Sequence, residues 1–305
     1  MNRIKAFLFT LLITGLIVSC GKDDDRKPEP PRDRGVQNTA DMIAIEEFLE
    51  THYITVINNP GFQDDMDVVI EKIPEGGTQT PIKQHPDLTH RLVTYSDVEY
   101  KIYYIKLREG VAENPSPTNV DAVLASYRGT LLDGSQFDYM DIPSTMLRLD
   151  NVILGWSEIF PQFKTGTYAS NGDGTINFSD FGAGVMFVPS GLGYFNLFQP
   201  GIPTYSPLVF SFKLYEIERI DHDNDGIPSY LEDINGDGYL TIEDDTDGDG
   251  IPDYRDIDDD ADGRMTRDEI KDAEGNIIPY ADIPDCSGNT TNPDRLRKHL
   301  DPNCN

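Results

Sequence analysis

Three observations predict an α+β chain: an antiparallel half-barrel sheet wrapped on a short helix, followed by an irregular module of acidic repeats. Residues 95–107, 120–131, 186–188 and 208–217 are rich in β-forming side chains and are separated by turn signals. Between them, residues 153–163 read as one short helix, with the only tryptophan in Val152-Ile153-Leu154-Gly155-Trp156 near its start. After residue 220 apolar periodicity gives way to Asp-x-Asp-x-Asp-Gly spacing.

Charge narrows the function classes. The formal net charge is −29, and binding phosphates needs a basic footprint, so nucleic acid is excluded as a partner and an anionic lipid surface is disfavoured. The acidity is local. Residues 221–262 hold 15 Asp and two Glu against one basic residue, Arg255. The apolar fraction of 38% is low for a single packed domain, which fits a polar module beside a cored one.

In chain order, residues 1–20 read as an export signal, with Arg3 and Lys5 before an apolar run too short to span a bilayer. The run ends in Ile17-Val18-Ser19-Cys20, which resembles a bacterial lipobox. That resemblance implies cleavage before Cys20, its acylation and attachment to the outer membrane, facing the cell surface or the periplasm. Gly21-Lys22-Asp23-Asp24-Asp25 is similar to an acidic surface-export tag of Bacteroidetes lipoproteins. Residues 21–39, with Pro28, Pro30 and Pro31, are expected to be a disordered tether. Residues 40–91 form an N-terminal helix-and-loop segment. Ile45, Phe48, Leu49 and His52 recur at helical spacing, Asn38 or Thr39 is the expected cap, and one strand is expected at 68–73.

Residues 92–218 form the sheet domain. Asp133-Gly134 signals a turn after its second long strand. Five quoted segments carry a resemblance here: Tyr127-Arg128-Gly129-Thr130-Leu131-Leu132-Asp133-Gly134; Phe137-Asp138; Val152-Ile153-Leu154-Gly155-Trp156; Phe187-Val188-Pro189-Ser190 with Tyr194; and Ile202-Pro203 with Leu208-Val209-Phe210. Together, across residues 95–217, they resemble the FKBP-type peptidyl-prolyl isomerase family. The resemblance implies an FKBP-like half-barrel and an apolar pocket with Trp156 as floor. Its walls would be Tyr127, Phe137, Val152, Ile153, Ile202 and Phe210. Asp138 would stand at the rim, and the Tyr194 hydroxyl would bond a peptide carbonyl. The chain departs from the family pattern in three ways. No aromatic occurs in 144–149, Phe195 stands where a glycine is expected after Tyr194, and residues 166–185 enlarge the next loop. The apolar Phe195, Leu197 and Phe198 suggest a lid.

The implied chemistry needs no cofactor. Rotation about X–Pro is slow because the planar amide is resonance-stabilised, with a barrier of about 18–20 kcal/mol. The twisted transition state is less polar, so a dry aromatic pocket favours it over the ground state. Clients would be proline-containing polypeptides. The alternatives are a non-catalytic binding or chaperone module on the same fold, and a calcium-dependent adhesion lipoprotein.

Residues 219–274 carry four acidic repeats starting at 221, 233, 245 and 258. Candidate metal ligands are Asp221, Asp223, Asp225 and Glu232; Asp233, Asn235, Asp237 and Asp244; Asp245, Asp247, Asp249 and Asp256; and Asp258, Asp260, Asp262 and Glu269. Positions 1, 3, 5 and 12 supply oxygens and glycine at 6 makes the turn, which is the pattern of calcium loops. The period leaves no room for paired EF-hand helices, and the array resembles thrombospondin type 3 repeats, a calcium-stiffened stalk. Only the last loop runs into a helix, at 266–273. In the tail, residues 275–305, Cys286 and Cys304 suggest a disulfide in an exported chain, closing a loop of about 18 residues worth roughly 3 kcal/mol. The other reading is two free thiols.

Overall fold

The computed structural model describes residues 30–304. The export signal, Cys20 and the acidic tag lie outside the described residues.

Helix α1, Arg34–Thr51, opens the described fold. It begins inside the stretch expected to be a tether, and its cap is Asp33, whose Oδ1 accepts from Val36 N at 2.9 Å. Asn38 and Thr39 are interior. The first two turns carry few apolar side chains and are held by polar contacts, which is why hydrophobic periodicity missed them. A hairpin of β1, His52–Val56, and β2, Val68–Lys72, follows.

The main sheet is antiparallel. Its strands are β3, Leu88–Tyr95; β4, Val98–Arg108; β5, Ala122–Leu131; β6, Gln136–Met140; the two-residue β7, Leu147–Arg148; and, later in the chain, β10, Gly182–Val188, and β11, Leu208–Glu218. Spatial order is β3-β4-β10-β11-β5-β6, with β7 paired to β5. Helix α2, Leu154–Ile159, joins the two halves of the strand run and continues as one 3-10 turn to Gln162. The enlarged loop forms its own hairpin, β8, Thr167–Ser170, and β9, Ile176–Ser179, closed by a turn in which Gly174 N donates to Asn171 O at 3.1 Å.

Alternation along the central strands distributes two cores. Tyr100, Ile102, Tyr104, Met186, Val188, Phe210 and Phe212 pack with Trp156, Ile159 and Phe160 on the α2 face. Tyr103, Ile105, Val185, Phe187 and Val209 pack with Ile45, Phe48 and Leu49 of α1 on the other. The sheet is therefore covered on both faces, where the sequence suggested one helix alone. Every residue of β10 is buried, as a strand sandwiched between helices must be. Gly155 allows α2 its close approach, since a Cβ there would lie 2.5 Å from Val188 Cγ1.

Beyond β11 the chain has no further strand of its own among the described residues. The acidic repeats are loops joined by 3-10 turns, and the helix expected at 266–273 is a single turn, α3, Thr266–Glu269. Lys271 instead bridges to Ile277. Cys286 and Cys304 are disulfide-bonded, with Cα atoms 5.3 Å apart. The array folds back onto the sheet domain and does not extend as a stalk. Val120 clusters with Leu240 and Tyr254. Tyr239 Oη donates to Glu158 O at 2.9 Å and accepts from Gln162 Nε2 at 2.8 Å, while the Arg91 guanidinium lies 3.5 Å over its ring. No described helix is long and apolar enough to cross a membrane.

Candidate functional site

The α2 face carries a cleft of about 690 Å³. Its floor is the indole of Trp156, 4% exposed, placed by the first turn of α2. Tyr127 of β5 and Phe210 of β11 meet the indole edge-on, with centroids at 4.9 and 5.4 Å. Phe137 of β6 meets Phe210 edge-on at 5.5 Å. Edge-to-face contacts of this kind hold each ring in place, and Phe160 stacks on the indole from beneath at 4.9 Å. The arrangement depends on Gly129. A Cβ there would lie 2.6 Å from the Phe137 ring and 2.9 Å from Phe210.

Polar groups sit at the mouth. Tyr127 Oη donates to Asp138 Oδ2 at 2.7 Å, and Asp138 Oδ1 accepts from Tyr139 N at 2.8 Å. Burial, reinforced by the Asp138 hydrogen bond and charge, pushes the Tyr127 hydroxyl well above the usual phenol range. Burial and then the Asp138 charge also raise Tyr194. Both phenols are protonated at neutral pH, and the Tyr194 hydroxyl makes no hydrogen bond among the described residues. It is an available donor beside an apolar floor.

Eight of the nine expected pocket residues line this cleft: Tyr127, Phe137, Asp138, Val152, Ile153, Trp156, Tyr194 and Phe210. Ile202 does not. It is 7% exposed and packs into the core on that face, so its contribution is support and not wall. The sequence reading missed Arg34, Tyr95, Leu147 and Leu192, which also line the cleft, as do Phe195 and Leu197 of the expected lid. Leu147 comes from the segment noted to lack an aromatic. Arg34 reaches the cleft from α1, with Nη1 donating to Gly191 O at 3.3 Å and its guanidinium 4.3 Å over Phe195. No local signal marks it. Of the expected lid, Phe195 is turned inward at 7% exposure, whereas Leu197 and Phe198 are 61% and 83% exposed.

The four acidic loops repeat one backbone pattern. Glycine N at position 6 donates to the position-1 carboxylate: Gly226 to Asp221, Gly238 to Asp233, Gly250 to Asp245 and Gly263 to Asp258, at 2.8–3.1 Å. The position-7 N donates to position 5 at 2.6–2.8 Å in all four, through Ile227, Tyr239, Ile251 and Arg264. Three loops bring their carboxylates together within 4.8 Å: Asp221, Asp223 and Asp225; Asp245, Asp247 and Asp249; and Asp258, Asp260 and Asp262. In the second loop, Asn235 Oδ1 accepts from Asp237 N at 2.9 Å.

The twelfth positions differ. Glu269, 2% exposed, accepts no hydrogen bond at Oε1, which lies 3.9 Å from Arg264 Nη1. Both oxygens of Glu232 are unpartnered. Asp244 accepts from Ile234, Asn235 and Thr241 backbone N, and Asp256 from Asp258 N. Burial, then neighbouring carboxylates, drives Glu232 up to about 11 and Glu269 up to about 7. Buried unpaired oxygens of this kind demand a proton or a cation.

Residues 222–293, the array and the start of the tail, match a family model described as BamM C-terminal. The FKBP-type peptidyl-prolyl cis-trans isomerase FkpA of Escherichia coli (strain K12) is 34% identical over 105 residues, 34% of this chain and 33% of that protein. Its namesake in Buchnera aphidicola (subsp. Acyrthosiphon pisum, strain APS) is 30% identical over 113 residues, 36% of this chain and 41% of that one. The chain thus spans about a third to two fifths of the length of these curated relatives. Among solved structures, a peptidyl-prolyl isomerase of Pseudomonas syringae is 25% identical with a TM-score of 0.34, covering 45% of this chain and 85% of that one. Crystalline FkpA of E. coli is 28% identical with the same TM-score of 0.34, covering 44% and 53%. Over 105 residues the chain has homology to an FKBP-type peptidyl-prolyl isomerase.

Proposed function

We propose that this chain is a peptidyl-prolyl cis-trans isomerase acting on exported, proline-containing polypeptides. The observation that carries the reading is the Trp156 floor framed by the Tyr127 and Phe210 edges, with the Tyr194 hydroxyl as an available donor beside it. A prolyl ring seated on the indole leaves its preceding amide in an apolar, water-poor cleft. There the planar, polar amide loses stabilisation relative to the twisted form. Tyr194 donates to a carbonyl of the bound peptide and fixes it while the X–Pro bond turns. Each 1.36 kcal/mol of selective stabilisation speeds rotation about tenfold. Chemistry of this type breaks no covalent bond and needs no cofactor.

The test is a protease-coupled isomerisation assay on the full chain in calcium. Turnover is expected, with Tyr194→Phe reducing kcat/KM about tenfold, the size of one lost hydrogen bond to the reacting unit, and Asp138→Val reducing it by releasing the Tyr127 hydroxyl that it holds. A wild-type rate equal to the uncatalysed one would sink the enzyme reading and leave a binding or chaperone module.

The acidic array fits calcium. Its donors are all oxygen, as a hard cation requires, and buried carboxylate oxygens of Asp221, Asp223, Asp225, Asp258, Asp260 and Asp262 lack hydrogen-bond partners. Calcium there would neutralise mutually repelling side chains, with millimolar-range affinity expected of an extracellular module. Titration of the chelator-treated chain should increase ordered structure by circular dichroism, and an unchanged spectrum would contradict the role. Export and anchorage at the outer membrane through lipidated Cys20 complete the reading. Mass spectrometry of the mature N-terminus tests that part.

A further inference from the structure

Glu232, Asp225 and Asp259 meet where the first acidic loop faces the fourth. They are 5%, 2% and 2% exposed. Neither oxygen of Glu232, neither oxygen of Asp259, nor Asp225 Oδ2 has any hydrogen-bond partner. One carboxylate oxygen from each lies within 4.8 Å of the other two. No Lys or Arg forms an ion pair with any of the three among the described residues. The nearby Asp253 is different: its oxygens accept from Thr246 N at 2.8 Å and Thr246 Oγ1 at 2.7 Å. Unpaired carboxylates are not stable in a protein interior, and three facing one another are less so.

We propose that Asp225, Glu232 and Asp259 hold a further divalent cation of calcium type, clamped between the first and fourth loops. The inference rests on the calcium reading of the array and deepens it. The ligand set is purely carboxylate, and its spread suits calcium–oxygen distances of about 2.3–2.6 Å. Asp225 also belongs to the Asp221, Asp223 and Asp225 group, so the two sites would share it as a ligand residue. Asp259 occupies position 2 of its loop, where loop spacing assigns no ligand, so the site exists only in the folded array. The ion ties residues 225 and 232 to residue 259 and closes the loops into one body, much as a cross-link would.

The test uses the full chain, stripped with chelator and dialysed against calcium, with bound calcium counted per chain by native mass spectrometry. Asp259→Asn should bind one ion fewer than wild type. It should also melt lower than wild type in calcium but higher in chelator, because it removes a ligand in one case and a repelling charge in the other. Asp268→Asn, an exposed acid paired with Lys271, should leave the count unchanged. If Asp259→Asn does not fold in calcium, Asp259→Leu, similar in size and uncharged, is read the same way. An unchanged count together with an unchanged calcium-induced rise in Tm overturns the clamp while the individual loops stand. A wild-type chain that binds no calcium overturns both the clamp and the loop reading.

Discussion

Phe195 holds φ at +51°, in the left-handed region that side chains other than glycine rarely adopt. The family resemblance expects a glycine at this position, and the backbone keeps the conformation a glycine would take. The phenyl ring offsets the strain by packing. It is 7% exposed, meets Tyr205 edge-on at 5.0 Å and lies under the Arg34 guanidinium. Truncation therefore separates the two effects. Phe195→Ala loses the packing and keeps the strain, costing about 3–5 kcal/mol. Phe195→Gly loses the packing but relieves about 1 kcal/mol of left-handed strain. Urea unfolding should rank Phe195→Gly above Phe195→Ala in stability, and the reverse order would refute strain at this residue.

At the scale of elements, α1 is tied to the cleft by Arg34 at its first turn and by a buried carboxylate further along. Asp41, 2% exposed, accepts from Ser190 N at 2.8 Å and Ser190 Oγ at 2.6 Å, and its other oxygen accepts from Gln37 Nε2 at 2.7 Å. Ser190 opens the turn that leads to Tyr194. Asp41→Ala would strand two buried donors and should cost about 2–4 kcal/mol. Hydrogen exchange should show faster exchange in residues 34–45 and 190–195, with β11 unchanged. Uniform loss of protection would mean that α1 is not a separately fastened element. The long strands β4, β5 and β11 and the helix α2 were legible because β-rich runs and a Trp-bearing short helix are local patterns, whereas β6 to β9 are too short to show one. The first turns of α1 were not, because their partners lie about 150 residues downstream.

Across the whole molecule, the array and tail are integrated with the sheet domain through Tyr239, Leu240 and Tyr254. His299 in the tail is 1% exposed, and burial, with help from the Arg297 and Lys298 charges, depresses it to about 3. An unfolded histidine titrates near 6.5. Below that pH the unfolded chain takes up a proton that the folded chain refuses. The stability tied to neutral His299 is thus full above about pH 6.5 and is lost as pH falls toward 3. In calcium, His299→Leu should lose less Tm than wild type between pH 7 and 4.5. Parallel slopes would show that His299 does not govern the acid sensitivity of the tail.

Residue order alone was enough for β2, β4, β5, β10 and β11 and for the four-fold loop spacing, and the family resemblance supplied eight of the cleft residues, the Trp156 floor among them. Each of these is a short-range pattern, either a periodicity or a motif whose members are close in the chain. Ile202 passed for a wall because an apolar residue reads the same whether it lines a cleft or lies beneath one. Folding decided which carboxylates meet. Asp259 joins Asp225 and Glu232 only because the array curls back on itself, and Arg34 reaches the cleft only because α1 crosses the sheet. Both pairings bring together residues far apart in the chain, and the forces that select them, burial of apolar area and pairing of buried charge, act through space and leave no periodic trace in the sequence.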